Sequence, residues 1–284
     1  MARNRERVGA QKINNDPPPQ ALSNNETVPF TFVVPTEFVE LPSEGRYYPE
    51  GHPLHNQETI EIKHMTAKEE DLLTSRALIK KGIVLDRLID SIIINKNIKS
   101  NDLLVGDKNA ILISARISGY GPEYKTKVTC PSCGANQIYS FDLNGLETYH
   151  GGGLMEEEAV HDGNGLFTAT LPRTKLEIQF RLLKGLDERN LLMQVENSRK
   201  AKKEDNLITR QLKQLIVAVN GDRDQKSINY VIENLPSFDA NHLRRVAKLA
   251  TPNVNMNHNF ECNSCDYEQV MEVPLTADFF WPDR

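Results

Sequence analysis

Four cysteines, arranged as two Cys-x-x-Cys pairs, constrain this chain more than any other sequence feature. The pairs are Cys130/Cys133 and Cys262/Cys265. Two thiolates held three residues apart in a tight turn can face one ion, and two such turns supply the four soft ligands that tetrahedral Zn²⁺ prefers. The sequence therefore predicts one structural Zn²⁺ per chain, bound by all four cysteines.

The sequence around the two pairs is duplicated. A glutamine follows the last cysteine of each pair by four positions, at Gln137 and Gln269. A leucine follows the first cysteine of each pair by 13 positions, at Leu143 and Leu275. An apolar stretch lies between glutamine and leucine in both copies. This repetition predicts two strand–knuckle–strand hairpins that together form a zinc ribbon.

The two pairs are unusually far apart in the chain. Cys262 follows Cys133 by 129 positions, whereas a compact ribbon has roughly 15–20 residues between its pairs. The second knuckle must therefore return in space to the first, around a large insertion. A metal that clamps the two ends of such an insertion would add directly to the folding free energy.

Three other uses of the cysteines fit the pattern less well. A redox Cys-x-x-Cys lacks its usual setting, in which a strand leads into the start of a helix. Four inert buried cysteines would not repeat the same spacing by chance. A catalytic zinc needs an open coordination position, which four thiolates deny. His258 lies near the second knuckle and could replace a cysteine, but the four thiolates already complete the shell.

The composition bounds the function further. The 284 residues carry 34 Lys and Arg against 39 Asp and Glu, a net charge of -5, which argues against a general nucleic-acid binder. No apolar run approaches the roughly 20 residues that span a bilayer, and no signal peptide is visible. We expect a soluble chain in a reducing cytoplasm, with too few cysteines for a disulfide scaffold.

The predicted fold class is α+β, with helical segments packed against β-hairpins. The predicted organisation is a flexible N-terminal arm (1–27), an extended β arm (28–63), a helical segment with the first zinc knuckle (64–146), a β-hairpin and helical insertion (147–258), and the second zinc knuckle with an aromatic tail (259–284).

Local signals place several elements within these segments. Thr66 and Glu69 fit a capping box, so a helix should begin there. Apolar periodicity predicts a helix over 107–118, with Gly119 as its C-terminal stop.

The insertion combines both kinds of periodicity. Alternating apolar residues predict a hairpin with strands over 166–171 and 176–182. The pattern from 187 to 220 is helical, and a further helix is expected over 240–249 with Asp239 as its N-cap.

Two aromatic groups allow two interpretations each. The adjacent Tyr47 and Tyr48 suit docking on a partner, or ordinary packing of a loop. The terminal run of Phe279, Phe280 and Trp281 either folds back on the ribbon or anchors in another subunit.

No catalytic motif is found. The glycines at 151–153 lack the lysine and helix start of a phosphate-binding loop. Neither a Gly-x-Ser-x-Gly elbow nor a His-Glu-x-x-His motif occurs, and the seven histidines do not pair at the spacing of helical ligands. We therefore expect no enzymatic activity.

Several short motifs occur in a recognisable order: LPSEGRYYP at 41–49, MTAKEE at 65–70, LLVGDK at 103–108, YGPEY at 120–124, CPSCG at 130–134 and DL at 142–143. In this order the chain resembles the baseplate hub family of T-even-type contractile-tailed bacteriophages, most closely over residues 37–146. The zinc ribbon and the long helical insertion distinguish it from the smaller family members.

The resemblance implies a structural or assembly protein of the virion tail baseplate, found in the host cytoplasm during assembly and without catalytic residues. Its expected partners are other baseplate and hub proteins. A three- or sixfold ring would be the natural setting, because closed rings are built from repeated heterologous contacts. No membrane partner is expected.

The main alternative is a zinc-ribbon adaptor that binds nucleic acid or the transcription machinery. The knuckles lack the basic, aromatic surface that this function needs. The first has only Lys125 and Lys127 close by, and the second is acidic, with Glu261, Asp266 and Glu268. A metalloenzyme, the third hypothesis, would again need an open metal site.

Overall fold

A pair of antiparallel strands begins the part of the chain that can be described. The computed structural model describes residues 33–153, 158–201, 206–273 and 277–280; the predicted N-terminal arm over 1–27 lies outside them. Strand β1 (Thr36–Glu40) pairs antiparallel with β2 (Thr59–Lys63). Val39 and Ile62 are buried in the core. In its described part, the β arm predicted over 28–63 therefore contains two paired strands, and each strand buries some of its apolar side chains in the core.

Four helices follow: α1 (Ala67–Thr74), α2 (Arg76–Lys80), α3 (Val84–Ile92) and α4 (Val105–Tyr120). The predicted capping box is confirmed at α1, where the Thr66 backbone N–H donates to a Glu69 carboxylate oxygen at 3.0 Å. Helix α4 ends at Tyr120, and Gly121 rather than the predicted Gly119 is its C-terminal stop. Gly121 has a φ of 83°, a conformation that favours glycine and stops a helix.

Helix α4 lies at the centre of the fold, and its first two turns are almost entirely buried. At Gly106, a Cβ atom would lie only 2.0 Å from the carbonyl oxygen of Pro252. Glycine is therefore required there for the close approach of the later chain to the helix.

The first knuckle hairpin consists of β3 (Glu123–Thr129) and β4 (Asn136–Asp142), followed by a short 3-10 turn at Leu143–Gly145. The insertion then contains β5 (Glu147–Tyr149), β6 (Val160–His161), β7 (Leu166–Thr170), β8 (Glu177–Arg181), α5 (Gly185–Lys200), α6 (Leu207–Leu215), β9 (Ile216–Val219), α7 (Gln225–Asn234), α8 (Ser237–Ala250) and β10 (Asn253–Asn255). The second knuckle hairpin is β11 (Asn257–Glu261) and β12 (Glu268–Glu272), and a 3-10 turn at Ala277–Phe280 follows.

The insertion holds an antiparallel sheet of four strands in the order β6-β7-β8-β9. The predicted β7–β8 hairpin is confirmed. The helix predicted up to residue 220 is wrong in its last turn, because Ile216–Val219 forms strand β9 and pairs with β8. Its β-branched residues fit the buried edge of that sheet.

Asp239 was predicted to be the N-cap of the last helix, but this prediction is wrong. The N-cap is Pro236, and Asp239 lies within the first turn of the helix. Its carboxylate accepts hydrogen bonds from the backbone N–H groups of Arg173 and Thr174, both at 2.9 Å. It therefore holds the β7–β8 turn against α8.

Strands β5 and β10 pair antiparallel and bring together the two ends of the insertion. The buried apolar residues form a single cluster that runs from Val39 to Phe280, and the described residues from Val34 onward form one compact unit. The segments predicted from the sequence thus share one core. The mixture of helices and strands confirms the coarse α+β prediction. None of the helices in the described ranges is both long and apolar enough to cross a bilayer.

Candidate metal centre

The two hairpins predicted around the cysteine pairs are present. Strands β3 and β4 pair over seven residues, and β11 and β12 over five. Alternate residues of a strand point to opposite faces. The inward face of the first hairpin buries Tyr124, Val128 and Phe141, and that of the second buries Phe260. Leu143, at the end of the first repeat, is also buried, whereas its counterpart Leu275 lies outside the described residues.

Both knuckles have the same backbone hydrogen bonds. In the first, the Cys130 N–H donates to the Ala135 carbonyl at 2.8 Å, and the Gly134 N–H donates to the Cys130 carbonyl at 2.9 Å. The corresponding bonds of the second knuckle join the Cys262 N–H to the Tyr267 carbonyl (2.9 Å) and the Asp266 N–H to the Cys262 carbonyl (3.1 Å). The duplication in sequence is therefore also a duplication of turn geometry.

The fourth residue after the first cysteine of each pair has a left-handed backbone conformation. Gly134 has a φ of 73° and Asp266 a φ of 52°. Glycine adopts this conformation without a steric penalty, and aspartate is among the few other residues that tolerate it.

The turns bring all four sulfur atoms together. The Sγ atoms of Cys130, Cys133, Cys262 and Cys265 lie within 4.8 Å of one another. Two of the distances between the pairs are 3.8 Å (Cys130 to Cys265) and 3.7 Å (Cys133 to Cys262). A tetrahedral ion with a Zn–S distance of about 2.3 Å separates its sulfurs by about 3.8 Å, so the arrangement has the dimensions of a zinc–thiolate site. The four thiols are free of disulfide bonds.

The first cysteine of each pair is buried, and Cys133 and Cys265 are exposed. Hydrogen bonding by the backbone N–H of Cys133 lowers the pKa of the Cys130 thiol to about 7. The pKa of Cys265 is raised to about 12, mainly through its hydrogen bond with the Cys133 thiol. One thiol therefore ionises readily, while another keeps its proton because it is shared among neighbouring sulfurs. A bound divalent cation would replace these protons and favour four thiolates.

Gln137 connects the two knuckles. Its side-chain Nε2 donates to the Glu261 carbonyl at 2.8 Å, and its Oε1 accepts from the Asn263 N–H at 2.9 Å. These two residues flank Cys262, so one amide from the first hairpin fixes the backbone on both sides of a cysteine in the second. The matched Gln269 is exposed and bonds only locally, accepting from the Tyr267 hydroxyl at 3.1 Å.

An aromatic cluster lies between the hairpins. The Tyr139 hydroxyl donates to the Asn259 carbonyl at 2.5 Å, and the Tyr139 ring lies 5.5 Å from that of Phe260. The His258 ring packs 5.3 Å from Phe141. His258 thus belongs to the aromatic cluster, and in the part of the chain that the structure describes the four cysteines are the only group of three or more Cys, His, Asp or Glu residues placed to hold a metal ion.

The aromatic tail folds back onto the first hairpin. Phe279 and Phe280 are buried, and the Phe279 ring lies 4.9 Å from Tyr124 of β3. Nε of the buried Arg116 on α4 donates to the Phe279 carbonyl at 3.0 Å. Trp281, the third aromatic residue of the tail, lies outside the described residues.

Tyr48 is part of the core and not a free docking residue. It is fully buried, and its hydroxyl donates to Asp107 Oδ2 at 2.7 Å. Asp107 also accepts from the Ser43 N–H at 2.9 Å and the Ser43 hydroxyl at 2.6 Å. Burial raises the pKa of Asp107, although these hydrogen bonds act in the opposite direction.

The sequence pattern does not predict this network, although the motifs at 41–49 and 103–108 meet in it. Nor does it predict the cluster in which the buried Lys108 ammonium lies 3.0 Å from the buried Asp86 and 2.8 Å from the partly exposed Glu188. A lysine followed by apolar helix positions was the available signal, but its partners are distant in sequence.

Comparison with known proteins supplies one match. A family model described as "T4 bacteriophage base plate protein" matches residues 34–281. No curated protein and no solved structure matches the chain.

Proposed function

The chain belongs to the T4 bacteriophage base plate protein family, whose model spans residues 34–281, and from this premise we propose that it is a structural or assembly component of the hub of a contractile-tail baseplate. Membership implies a virion tail component that contacts other baseplate proteins. Its position in the hub, its presence in the host cytoplasm during assembly and a three- or sixfold ring are parts of the proposal.

The contacts made by the motif residues support a structural role. Asp107, Ser43 and Tyr48 bond to one another in the core. Glu69 is likewise used internally, where it accepts from Lys63, Ser91 and Thr66. Side chains used in this way position helices and hairpins and are not free to act on a substrate. The family match remains the observation that carries the proposal.

We further propose that Cys130, Cys133, Cys262 and Cys265 bind one structural Zn²⁺. The sulfur separations of 3.7 and 3.8 Å support this assignment, as does the preference of zinc for four thiolates. A full thiolate shell leaves no position for a water nucleophile, so the ion would supply stability only. It would join two hairpins that the sequence separates widely.

The zinc assignment is tested by elemental analysis and thiol titration of the purified chain. We expect one zinc per chain and four thiols that react only after the metal is removed. Four reactive thiols without metal would refute the assignment and reopen the redox interpretation.

The hub assignment is tested in a phage that lacks this protein. We expect tails that stop before a complete baseplate forms, and expression of the protein in trans should restore them. Mass spectrometry of purified tails and of assembly intermediates then distinguishes a resident subunit from a transient assembly factor. Normal baseplates in its absence would contradict both roles.

The alternative of a nucleic-acid adaptor receives less support from the ribbon surface. Lys125 and Lys127 are exposed on the first hairpin, but Glu261 and Glu268 are exposed on the second. Binding of DNA or RNA that weakens steeply with salt would favour this alternative.

A further inference from the structure

A groove lies beside helix α8 and opens to the surface. It is lined by α8, by α6, by the first residue of α4 and by the loop before α5. Its volume is about 510 Å³, within the roughly 300–1,000 Å³ that is usual for sites that take a ligand. We call it the α8 groove. It has room for a few side chains of a partner, but not for a folded domain.

The floor of the α8 groove is apolar. Leu215 of α6 and Ala247 of α8 line it and are buried, and Val105 and Leu183 line it and are half-buried. Among the described residues that line the groove, none is aromatic. An occupant with apolar side chains would therefore remove apolar surface from water, which favours binding.

The rim of the α8 groove is basic. It contains Arg244, Arg245 and Lys248, and the described lining residues include no Asp or Glu. Arg244 and Lys248 are four positions apart and so lie on the same side of α8. Like charges at this spacing repel each other, and a bound anion would relieve that repulsion.

Two of the three positive charges on the rim are not neutralised by an ion pair. Arg245 pairs with Glu158, whereas the Arg244 guanidinium donates to the neutral amide of Asn241, at 3.3 Å. Within the ranges that the structure describes, neither Arg244 nor Lys248 forms an ion pair. The helix dipole favours a cation in the last turn of α8, which accounts for Lys248 but not for Arg244.

A second groove beside α8 has a different balance of charge. Arg245 and Lys248 also border this groove, but there they lie with Glu147 and Glu272. Its lining thus contains two basic and two acidic side chains. The α8 groove differs from it because only basic side chains supply its charge.

We propose that the α8 groove binds a short acidic segment of another baseplate protein. Apolar side chains of the segment would lie on Leu215 and Ala247, and its carboxylates would pair with Arg244 and Lys248. A nucleic acid would suit the basic rim but not the floor, because the lining described above offers no aromatic side chain on which a base could stack. The proposal deepens the proposed function by naming the chemistry of one partner, and it rests on that function for the partner being a baseplate protein.

Fluorescence anisotropy with the full zinc-loaded chain and a labelled peptide of glutamate and leucine tests the chemistry of the groove. We expect the peptide to bind, and to bind more weakly at high salt because the ion pairs are exposed. A peptide with serine in place of leucine should bind more weakly, since it leaves the apolar floor uncovered. Arg244→Glu with Lys248→Glu should weaken binding of the first peptide about tenfold or more, because like charges then meet.

A peptide of opposite charge makes the test independent of folding. The chain with Arg244→Glu and Lys248→Glu should bind a peptide of lysine and leucine that the wild type does not bind. Loss of the fold does not produce such an exchange of specificity. Arg244→Lys with Lys248→Arg keeps both charges and should bind like the wild type. Arg223→Glu with Lys226→Glu, a double reversal at exposed positions near the start of α7, is the matched control and should also bind like the wild type.

Photo-crosslinking in assembled tails then identifies the partner. A photoreactive residue in place of Lys248 should join the chain to a segment of another baseplate protein in which carboxylates lie beside apolar residues. Mass spectrometry of the cross-linked peptides identifies that segment. The same photoreactive residue in place of Lys226 is the control for position, and should not cross-link to that segment.

The proposal would be overturned if the acidic peptide does not bind, or if it binds the double reversal as well as it binds the wild type. Tails in which position 248 cross-links to no other protein would also overturn it. Binding of a DNA duplex in place of the peptide, or cross-links to DNA alone, would assign the groove to nucleic acid instead. Failure of the hub assignment is a separate outcome, because the peptide measurements use the purified chain and need no tail.

Discussion

Glu69 shows how much one side chain of the family motifs contributes to the fold. Its carboxylate accepts from Lys63 Nζ at 2.7 Å, Ser91 Oγ at 2.5 Å and the Thr66 N–H at 3.0 Å. Burial acts to raise the pKa of Glu69, but these hydrogen bonds outweigh it and lower the pKa to about 2. The carboxylate thus ties β2, α1 and α3 together in its charged form.

The lowered pKa of Glu69 predicts a specific loss of stability in acid. An unfolded Glu has a pKa of about 4.3, above the folded value of about 2, so its contribution is complete above that range and is lost as pH falls through it. Glu69→Gln should reduce the unfolding free energy by roughly 1–3 kcal/mol at neutral pH and make stability less dependent on pH between about 5 and 2. Denaturant unfolding at a series of pH values measures both effects.

Glu70→Gln is the matched control for Glu69→Gln. Glu70 is exposed and accepts one hydrogen bond, from Tyr120 at 3.1 Å, so its replacement should change little. If the two variants have the same pH dependence, the role assigned to Glu69 is wrong.

Substitutions at the left-handed residue of each knuckle should change the unfolding free energy in opposite directions. Gly134→Ala places a Cβ at a φ of 73° and should cost about 1–2 kcal/mol. Asp266→Gly removes a Cβ at a φ of 52° and should stabilise the second knuckle by up to about 1 kcal/mol. Thermal unfolding of the zinc-loaded variants compares them; a destabilising Asp266→Gly would mean that its carboxylate makes a contribution larger than the backbone strain.

At the scale of elements, the two duplicated hairpins differ in the hydrogen bonds of their matched glutamines, Gln137 and Gln269. Its amide bonds to the backbone on both sides of Cys262, whereas Gln269 bonds only to its neighbour Tyr267. Gln137→Ala should destabilise the chain by about 1–3 kcal/mol, because two hydrogen bonds of roughly 0.5–1.5 kcal/mol each are lost. Gln269→Ala, the matched control from the other copy, should be within about 0.5 kcal/mol of the wild type. Equal effects, measured by denaturant unfolding, would show that the two hairpins do not meet as described.

The elements that sequence reasoning predicted are those with local causes. The capping box of Thr66 and Glu69 depends on residues that are close in the chain. The same is true of the two hairpins whose turns hold the cysteine pairs. Strand β9 was mistaken for helix because its pairing with β8 overrides the local pattern. Asp239 was mistaken for an N-cap because its partners, Arg173 and Thr174, are distant in sequence.

The same distinction applies to the candidate site. The identity of the four cysteines could be predicted, since spacing alone indicates the chemistry. Their approach in space could be inferred only from the need to complete one shell. Gln137 is part of the sequence repeat, but its hydrogen bonds to Glu261 and Asn263 depend on how the two hairpins pack, which no local pattern specifies.

At the scale of the whole molecule, the two ends of the insertion are brought together at two places, by the four cysteine sulfurs and by the β5–β10 strand pair. In addition, the backbone at Pro252 and Asn253 packs directly against Gly106 of α4. A metal bound to both knuckles would therefore stabilise a junction that the core already forms. We expect removal of the metal to loosen the two hairpins first, and to lower the stability of the whole chain because they share its core.

A double-mutant cycle tests whether one metal joins the two knuckles. Cys130→Ser and Cys262→Ser each remove one ligand from a closed shell, and each should destabilise the chain by about 3 kcal/mol or more. If both cysteines serve a single ion, the double variant should be scarcely less stable than either single variant, since the site is already lost. Independent knuckles or inert thiols would instead give additive or negligible effects. Denaturant unfolding with and without a chelator supplies the remaining comparison: the chelator should lower the stability of the wild type to that of the variants and leave the variants unchanged, because only an intact four-thiolate shell has a metal to lose.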